Sequence, residues 1–455
     1  MHLKDKKVLI VGLGKTGEAL AQFLLEKGAR VKISEKKQAS ELGYELAGWK
    51  NRGVEIETGT HVLSSFLEAD LIIPSPGVPK IFELEEARKK NIPIVSEIEL
   101  ASHYLRGKIV GVTGTNGKST TATLIHKILK EGGLEAFLAG NIGIPLISFV
   151  HSSRESHIYV TEISSFQLEY IDTFRAPISV FLNISSNHLD WHPSFSSYFE
   201  AKKKLLRSQK KGDAAVLNRD DQLVWPLRKE GDYRSYGFSR KHKVAPGCFL
   251  KEDWIVILNQ AEERLMPLSE ISLPGTHNRE NIMAAALVGH LFQIPLPRMR
   301  ESIKTFQGLE HRLEKVMTLE GVEFVNDSKA TTVDAAIKAM ESFDRKIILI
   351  MGGRDKGADF RKLRRPVRKK VKKIILIGES REKIQEALEG TAPIQTAVSL
   401  KEAVFFGFQA ASPQEIVLLA PACTSFDIFK NFEERGEVFK REVRELARIR
   451  QRQRT

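Results

Sequence analysis

Residues 110–121 read VGVTGTNGKSTT, and this stretch decides the fold. An apolar run enters a glycine turn ending in Gly-Lys-Ser, and TTATLIHKIL continues at helical spacing. Strand, glycine loop and helix in that order form a phosphate-binding turn. Glycines free the backbone N–H groups, a lysine adds a point charge, and a hydroxyl can hold Mg2+. The usual pattern G-x-x-x-x-G-K-[ST] wants a glycine five residues before Gly117, where this chain has Val112. Gly114, Thr115, Asn116, Gly117, Lys118, Ser119 and Thr120 are the candidate ATP contacts, in a loop of unusual spacing.

A second glycine loop, VGLGKTG at 11–17, also follows a strand-like run and opens a helix whose Leu20, Phe23 and Leu24 share a face. Gly14, Lys15, Thr16 and Gly17 can receive a diphosphate, and Glu35, after the next strand, stands where a ribose hydroxyl would lie. A nicotinamide dinucleotide or any nucleoside diphosphate fits this loop. No hydride-transfer constellation follows it.

Working outward, strands are expected at 8–11, 31–33 and 71–74, then at 108–112, 158–163, 178–184 and 214–218, and finally at 322–327, 346–353, 373–378 and 416–422. They lack strict alternation, as strands covered on both faces do. Residues 234–273 read as a small antiparallel appendage, and HNRENIMAAALVGHLF as a helix with Ile282, Ala285, Ala286 and Gly289 along one face. The fold class is therefore α/β with three domains: a Rossmann-like domain at 1–94, a P-loop ATPase-like domain with a mostly parallel sheet at 95–305, and a Rossmann-like domain at 306–455. A length of 455 residues fits that division. In the last domain, Asn326, Asp327, Gly352, Gly353 and the residues after Ala420 should face one cleft, beyond the carboxyl ends of the strands.

The net charge of +13 permits nucleic acid or acidic ligands, and much of the excess lies in RKLRRPVRKKVKK at 361–373 and in the tail ending at Thr455. Neither run interleaves aromatic residues, which disfavours single-strand stacking. Both are read as solvated surface, with no nucleic-acid partner. No run of 18 apolar residues and no signal peptide is found, so a cytoplasmic protein without a membrane span is expected. Cys248 and Cys423, far apart in the chain, fit a reducing compartment.

Four further motifs carry chemistry. TEISSFQLE sets Glu162 at a strand end, where a carboxylate can hold Mg2+ or orient water. His188, Asp190 and His192 form either a metal site, zinc included, or a solvated loop. Asn278 and Asn281, three apart on a helix, can read a base or cap the helix. Arg312 of GLEHRLE can grip a phosphate or make a surface pair. AKKKLL at 201–206 would ordinarily be a solvated helical face.

In order along the chain, TGTNGKST, EISSFQLE, NHLD, HNRENIMAA and GLEHR resemble the Mur ligases, ATP-dependent amide-forming enzymes of peptidoglycan precursor synthesis. The resemblance spans almost the whole chain. It also accounts for Val112, because the family's ATP loop reads [VI]-T-G-T-N-G-K-[ST]. NDSKATTVDAA at 326–336, ACTSFDIFKNFEERGEVF at 422–439 and SPGVP at 75–79, with the first glycine loop, point to the branch that adds D-glutamate. The Asp-Asn-Pro-Arg motif of the branch adding a diamino acid is absent from the sequence. Thr332 stands where Asn is common, and Glu35 where Asp is common.

The resemblance implies that the carboxylate of UDP-N-acetylmuramoyl-L-alanine attacks the γ-phosphate of ATP, and that the amine of D-glutamate then displaces phosphate from the acyl phosphate. Lys118, Glu162, His188 and Lys202 become the catalytic set, with Lys202 carbamylated and its neighbour Lys203 to be excluded. Two Mg2+ ions, replaceable by Mn2+, would be held by Ser119, Glu162, His188 and Lys202. ATP would also meet Asn278, Asn281, Arg312 and Asp327. The UDP-substrate would meet the first loop, Glu35, Ser75, Pro76, Gly77, Asn141, Ser164, Gln167 and His188. D-glutamate would meet Lys329, Thr331, Lys356, Ser425 and Phe432. A monomer is expected. A folylpolyglutamate synthase shares the ATP loop but has no counterpart to 1–94. A nucleic-acid translocase predicts salt-sensitive DNA or RNA binding, and an oxidoreductase predicts NAD(H) at 12–17.

Overall fold

The computed structural model describes residues 1–42, 45–185, 191–273, 275–355 and 357–452. His188, Asp190 and Lys356 lie outside the described residues. Two compact units are present, Met1–Glu270 with Arg279–Lys304, and Ile271–Asn278 with Thr305–Thr455.

The first unit holds two sheets. One contains β1 (Lys7–Val11), β2 (Arg30–Glu35), β3 (Glu55–Thr58) and β4 (Leu71–Pro74), ordered β3-β2-β1-β4 and wholly parallel. The chain leaves β1 in one direction for β2 and β3 and returns on its other side as β4. The carboxyl ends of β1 and β4 therefore form a topological switch point, where such sheets take ligands.

The other sheet contains β5 (Lys108–Thr113), β6 (Ala136–Gly140), β7 (Ile158–Glu162), β8 (Ile178–Phe181), β9 (Ala214–Asn218), β10 (Arg234–Ser239), β11 (Gly247–Lys251), β12 (Trp254–Leu258) and β13 (Glu262–Pro267). Its order is β13-β12-β11-β10-β9-β8-β5-β7-β6. The expected small antiparallel part is present, as an extension of this sheet. β10 and β11 continue it in parallel, and only the β11–β12 and β12–β13 pairings are antiparallel.

The expected helix is present as Thr276–Leu291, with Ile282, Ala285, Ala286 and Gly289 all buried. Residues 281–289 are buried without a break, so its burial extends beyond that one face. Gly289 permits this: a Cβ there would lie 2.6 Å from Met299 Sδ and 2.9 Å from Ile128 Cγ2.

The second unit holds β14 (Glu314–Leu319), β15 (Val322–Asn326), β16 (Ile347–Gly352), β17 (Val371–Ile377), β18 (Ile394–Thr396) and β19 (Ile416–Leu419), ordered β14-β15-β19-β16-β17-β18. Only the β14–β15 pair is antiparallel. Alternate strand residues face opposite sides. Leu349, Met351, Ile374 and Leu376 pack with Leu363 and Val367 of the first basic run. Ile348, Ile350, Ile375 and Ile377 pack with Phe439, Val443 and Leu446 of the C-terminal helix. Among the described residues, the two basic runs thus lie on opposite faces of the sheet. Among the described residues no helix is long and apolar enough to cross a membrane.

The short helix Glu97–Ser102 joins the first two sheets. Its Ile98, Leu100 and Ala101 enter one cluster with Val8, Ile10 and Leu20 and with Tyr159, Ile163 and Leu168. Glu97 is buried there and accepts the Ile147 N–H at 2.6 Å. Burial pushes its carboxyl up to about 7, and the Ile147 and Leu146 amides only partly oppose this. An acid raised on folding favours the native state most below its unfolded pKa, and that advantage is lost as pH climbs through about 7. Glu97→Gln, which stays neutral, should therefore gain on the wild type by on the order of 2–3 kcal/mol between pH 5 and pH 8. Thermal melts at the two pH values check this, and parallel pH profiles for both proteins would refute it.

Candidate functional site

In the first sheet, the residues expected around UDP gather at the switch point. Gly14 caps the helix Lys15–Glu26, whose first three residues are Lys15, Thr16 and Gly17. Gly12 takes a left-handed φ of 92°, and a Cβ on Gly17 would sit 2.3 Å from its carbonyl oxygen, so only glycine lets the helix approach the loop this closely. Ser75 Oγ donates to Gly12 O at 3.0 Å and starts the turn through Pro76 and Gly77, closed by Val78 N to Ser75 O. Glu35 turns inward. Its carboxylate receives the Leu13 N–H at 2.7 Å and the Lys37 N–H at 2.9 Å, so it braces the glycine loop itself.

The phosphate loop leaves β5 and enters the helix Lys118–Glu131. Gly114 and Gly117 both have positive φ, and a Cβ on Gly117 would lie 2.3 Å from Asn281 Oδ1. Asn281 thus abuts the loop, whereas Asn278, also buried, belongs to the segment grouped with the second unit. Thr115 Oγ1 donates to Ser185 O and lies 3.1 Å from the Tyr198 hydroxyl. Lys118 Nζ folds back onto Thr115 O at 3.0 Å. Ser119 is buried in the first helical turn and Thr120 is half-buried.

Behind the loop lies a buried charge cluster. Lys202, on the helix Phe195–Arg207, is 1% exposed, and its Nζ lies 3.5 Å from Thr113 Oγ1 and 4.9 Å from the Tyr198 ring centre. Burial, then the Lys118 ammonium, hold its pKa well below the usual lysine range, and Glu162 only partly restores it. Burial and the Lys118 charge both favour the uncharged amine, which is the form that can add to CO2. Lys203, by contrast, reaches outward to Glu230 at 2.5 Å.

Glu162 ends β7. Asn141 Nδ2 donates to its Oε1 at 2.9 Å, while its buried Oε2 has no hydrogen-bond partner among the described residues. A buried carboxylate oxygen left without a partner suits a divalent cation. Ser164 and Gln167 hydrogen-bond each other in a capping box that starts the helix Ser165–Glu169. His192 is buried among the rings of Phe166, Trp191 and Tyr198.

In the second unit the strand ends also converge. Ala422 N donates to Ala330 O, and Arg354 and Thr424 exchange two backbone hydrogen bonds. A Cβ on Gly353 would lie 2.2 Å from Thr424 O. Asp327 is buried and accepts the Leu313 N–H at 3.2 Å. Burial pushes its carboxyl up to about 7, with the Leu313 amide and then Arg312 pulling it back. Lys329 Nζ lies 3.8 Å from the Phe432 ring centre, and the Phe432 carbonyl accepts Ser328 Oγ at 2.8 Å. Thr331 is half-buried beside them, Ser425 is buried, and Thr332 caps the helix Val333–Glu341. Arg312 stands between two non-glycine residues of positive φ, His311 at 62° and Leu313 at 45°. Each costs about 1–3 kcal/mol and persists only where its surroundings enforce it.

These features recur in known proteins. The Mur ligase MurD-like N-terminal domain matches residues 6–96, the Mur ligase middle domain 112–289, and the Mur ligase glutamate ligase domain 311–423. The chain is 44% identical over 444 residues to the UDP-N-acetylmuramoylalanine–D-glutamate ligase of Acidobacterium capsulatum, covering 97% of this chain and 96% of that protein. It is 42% identical to the ligase of the same name from Koribacter versatilis, covering 98% of this chain and 99% of that one.

The chain belongs to the Mur ligase family.

The UDP-N-acetylmuramate–alanine ligase of Thermotoga maritima shares the Mur ligase fold, with a TM-score of 0.59 at 18% identity over 97% of this chain and 99% of that one. Within this Mur ligase, sequence reading missed two supports. Asn183 Oδ1 accepts the Asn116 N–H at 2.9 Å and Asn183 Nδ2 donates to Asn116 O at 3.2 Å, so a strand-end amide clasps the phosphate loop. Arg435 is fully buried and donates to Ser328 Oγ, Ser328 O and Cys423 O, tying two strand-end loops together. The signal for Arg435 was available: it shares an apolar stripe with Phe439, Val443 and Leu446.

Proposed function

We propose that this protein is an ATP-dependent, cytoplasmic and monomeric ligase that joins D-glutamate to UDP-N-acetylmuramoyl-L-alanine. The observation that carries this reading is the cluster behind the phosphate loop, where Lys118, a half-satisfied Glu162 and a fully buried Lys202 meet. The names of relatives matched end to end point to the same substrates.

Residues 1–94 are assigned to the UDP moiety, 95–305 to ATP and 306–455 to the amino acid. Attack of a carboxylate on a triphosphate needs charge neutralised on both partners. Lys118 and the helix N-terminus serve the β/γ phosphates. Ser119, Glu162 and a carbamylated Lys202, with His188, would hold Mg2+, which supplies charge neutralisation and Lewis acidity to the phosphates. Asn141 keeps Glu162 oriented. Asn278, Asn281, Arg312 and Asp327 are assigned to ATP. Gly14–Gly17, Glu35, Ser75–Gly77, Ser164 and Gln167 are assigned to the UDP-substrate, with Glu35, Ser164 and Gln167 acting mainly by shaping backbone. Lys329, Thr331, Lys356, Ser425 and Phe432 are assigned to D-glutamate, whose two carboxylates suit two lysines.

The test is coupled ADP release with UDP-N-acetylmuramoyl-L-alanine plus each of D-glutamate, L-glutamate, L-lysine and meso-diaminopimelate. Turnover with D-glutamate alone is expected, and turnover only with another amino acid would sink the reading.

A further inference from the structure

The C-terminal helix Phe432–Arg452 carries a second charged residue in its apolar stripe, Lys440. Its side chain is 5% exposed, and its ammonium meets three carboxylates: Glu437 at 2.6 Å, Glu310 at 3.1 Å and Glu314 at 3.2 Å. Glu310, His311 and Glu437 converge as a metal site would, but the cation among them is this ammonium. The arrangement leads directly to Arg312. Glu314 binds Lys440 through Oε1, while its Oε2 accepts the His311 N–H at 2.8 Å and Asn326 Nδ2 at 3.0 Å.

The His311 carbonyl accepts Lys329 N–H at 3.1 Å. The buried His311 ring lies against Gly436, where a Cβ would come within 2.1 Å of Nδ1. Glu310, His311 and Glu314 bracket Arg312, and all three are held by one helix. The left-handed backbone at His311 and Leu313 needs such enforcement.

We propose that Lys440 is a positioning residue: by holding Glu314 against the His311 amide, it fixes the left-handed turn that aims Arg312 at the phosphates of ATP. The inference rests on the assignment of Arg312 to ATP. Removing the ammonium lets the Glu314 carboxylate swing to water, frees the His311 N–H, and relaxes the turn. The Arg312 side chain then loses its aim, although its own chemistry is untouched.

The test compares Lys440→Met, Lys440→Arg, Glu314→Gln, Arg312→Ala and the Lys440→Met/Arg312→Ala double variant. The readouts are KM for ATP, KM for the UDP-substrate, kcat and melting temperature. Lys440→Met is expected to raise KM for ATP about tenfold and to leave KM for the UDP-substrate unchanged. Lys440→Arg should recover most of the loss. Glu314→Gln, the reserve should Lys440→Met fail to fold, should shift KM for ATP the same way. In the Arg312→Ala background the Lys440 change should add nothing. If Arg312→Ala raises KM for ATP but Lys440→Met and Glu314→Gln do not, the positioning role is wrong. It is also wrong if the Lys440 effect persists in full without Arg312, or if only the melting temperature falls. Should Arg312→Ala itself leave KM for ATP unchanged, the ATP assignment of Arg312 fails first, and the positioning role with it.

Discussion

Lys202→Ala is expected to lower turnover by about a hundredfold or more, and bicarbonate at high concentration should restore little. The argument starts from burial. A cationic lysine with 1% exposure, with another lysine and one carboxylate as its charged neighbours, is costly, so the site favours the uncharged amine. In that form the nitrogen would attack the carbon of CO2, losing a proton as the carbamate anion forms. A site that repels a cation would welcome the anion, since Lys118 would attract it, and the carbamate with Glu162 would hold a divalent ion that neutralises phosphate charge. Alanine removes the nitrogen, so no added bicarbonate can rebuild the group. Lys203→Ala is the control. That residue pairs with Glu230 at the surface, where such pairs contribute little, and near wild-type turnover is expected. Wild-type turnover by Lys202→Ala would remove the carbamate role.

Gly17→Ala should raise KM for the UDP-substrate by about a hundredfold while KM for ATP stays in place. The added methyl would sit 2.3 Å from a backbone carbonyl, that of Gly12, which cannot swing aside as a side chain would. The helix must move off the loop, and the amides assigned to the diphosphate would move with it. Gly117→Ala makes the converse change: a left-handed φ of 82° and a clash with Asn281 should damage ATP use alone. Steady-state kinetics on both variants would show whether each loop serves its own nucleotide. A Gly17→Ala enzyme with normal KM for the UDP-substrate, or with its defect confined to ATP, would overturn the assignment of the first loop.

Much of this was legible before the structure. β1, β4 and β9 were readable because strands covered on both faces are continuous apolar runs. β3 and β18 escaped because EIET and IQT hold one apolar residue each, whereas β6 and β14 escaped although AFLAG and EKVMTL are at least half apolar. AKKKLL, expected from its residues as a solvated face, instead buries Lys202, which only the family resemblance singled out. Tyr198, Ala201, Lys202, Leu205 and Leu206 form the buried stripe of their helix, so helical spacing separates Lys202 from Lys203 within AKKKLL. Arg435 and Lys440 are marked in the same way on the last helix.

The sequence by itself determined the order of sheets and loops, the two glycine turns, and which charged residues sit in apolar stripes, because period and turn chemistry are local. Only the tertiary structure decided what those charges face beyond their own helix: Glu162 and Lys118 for Lys202, Ser328 and Cys423 for Arg435, and Glu310 and Glu314 for Lys440. It also turned Glu35 inward onto the Leu13 amide. Most of these partners come from strand ends remote in the chain, and no local pattern records which ends the sheet order brings together.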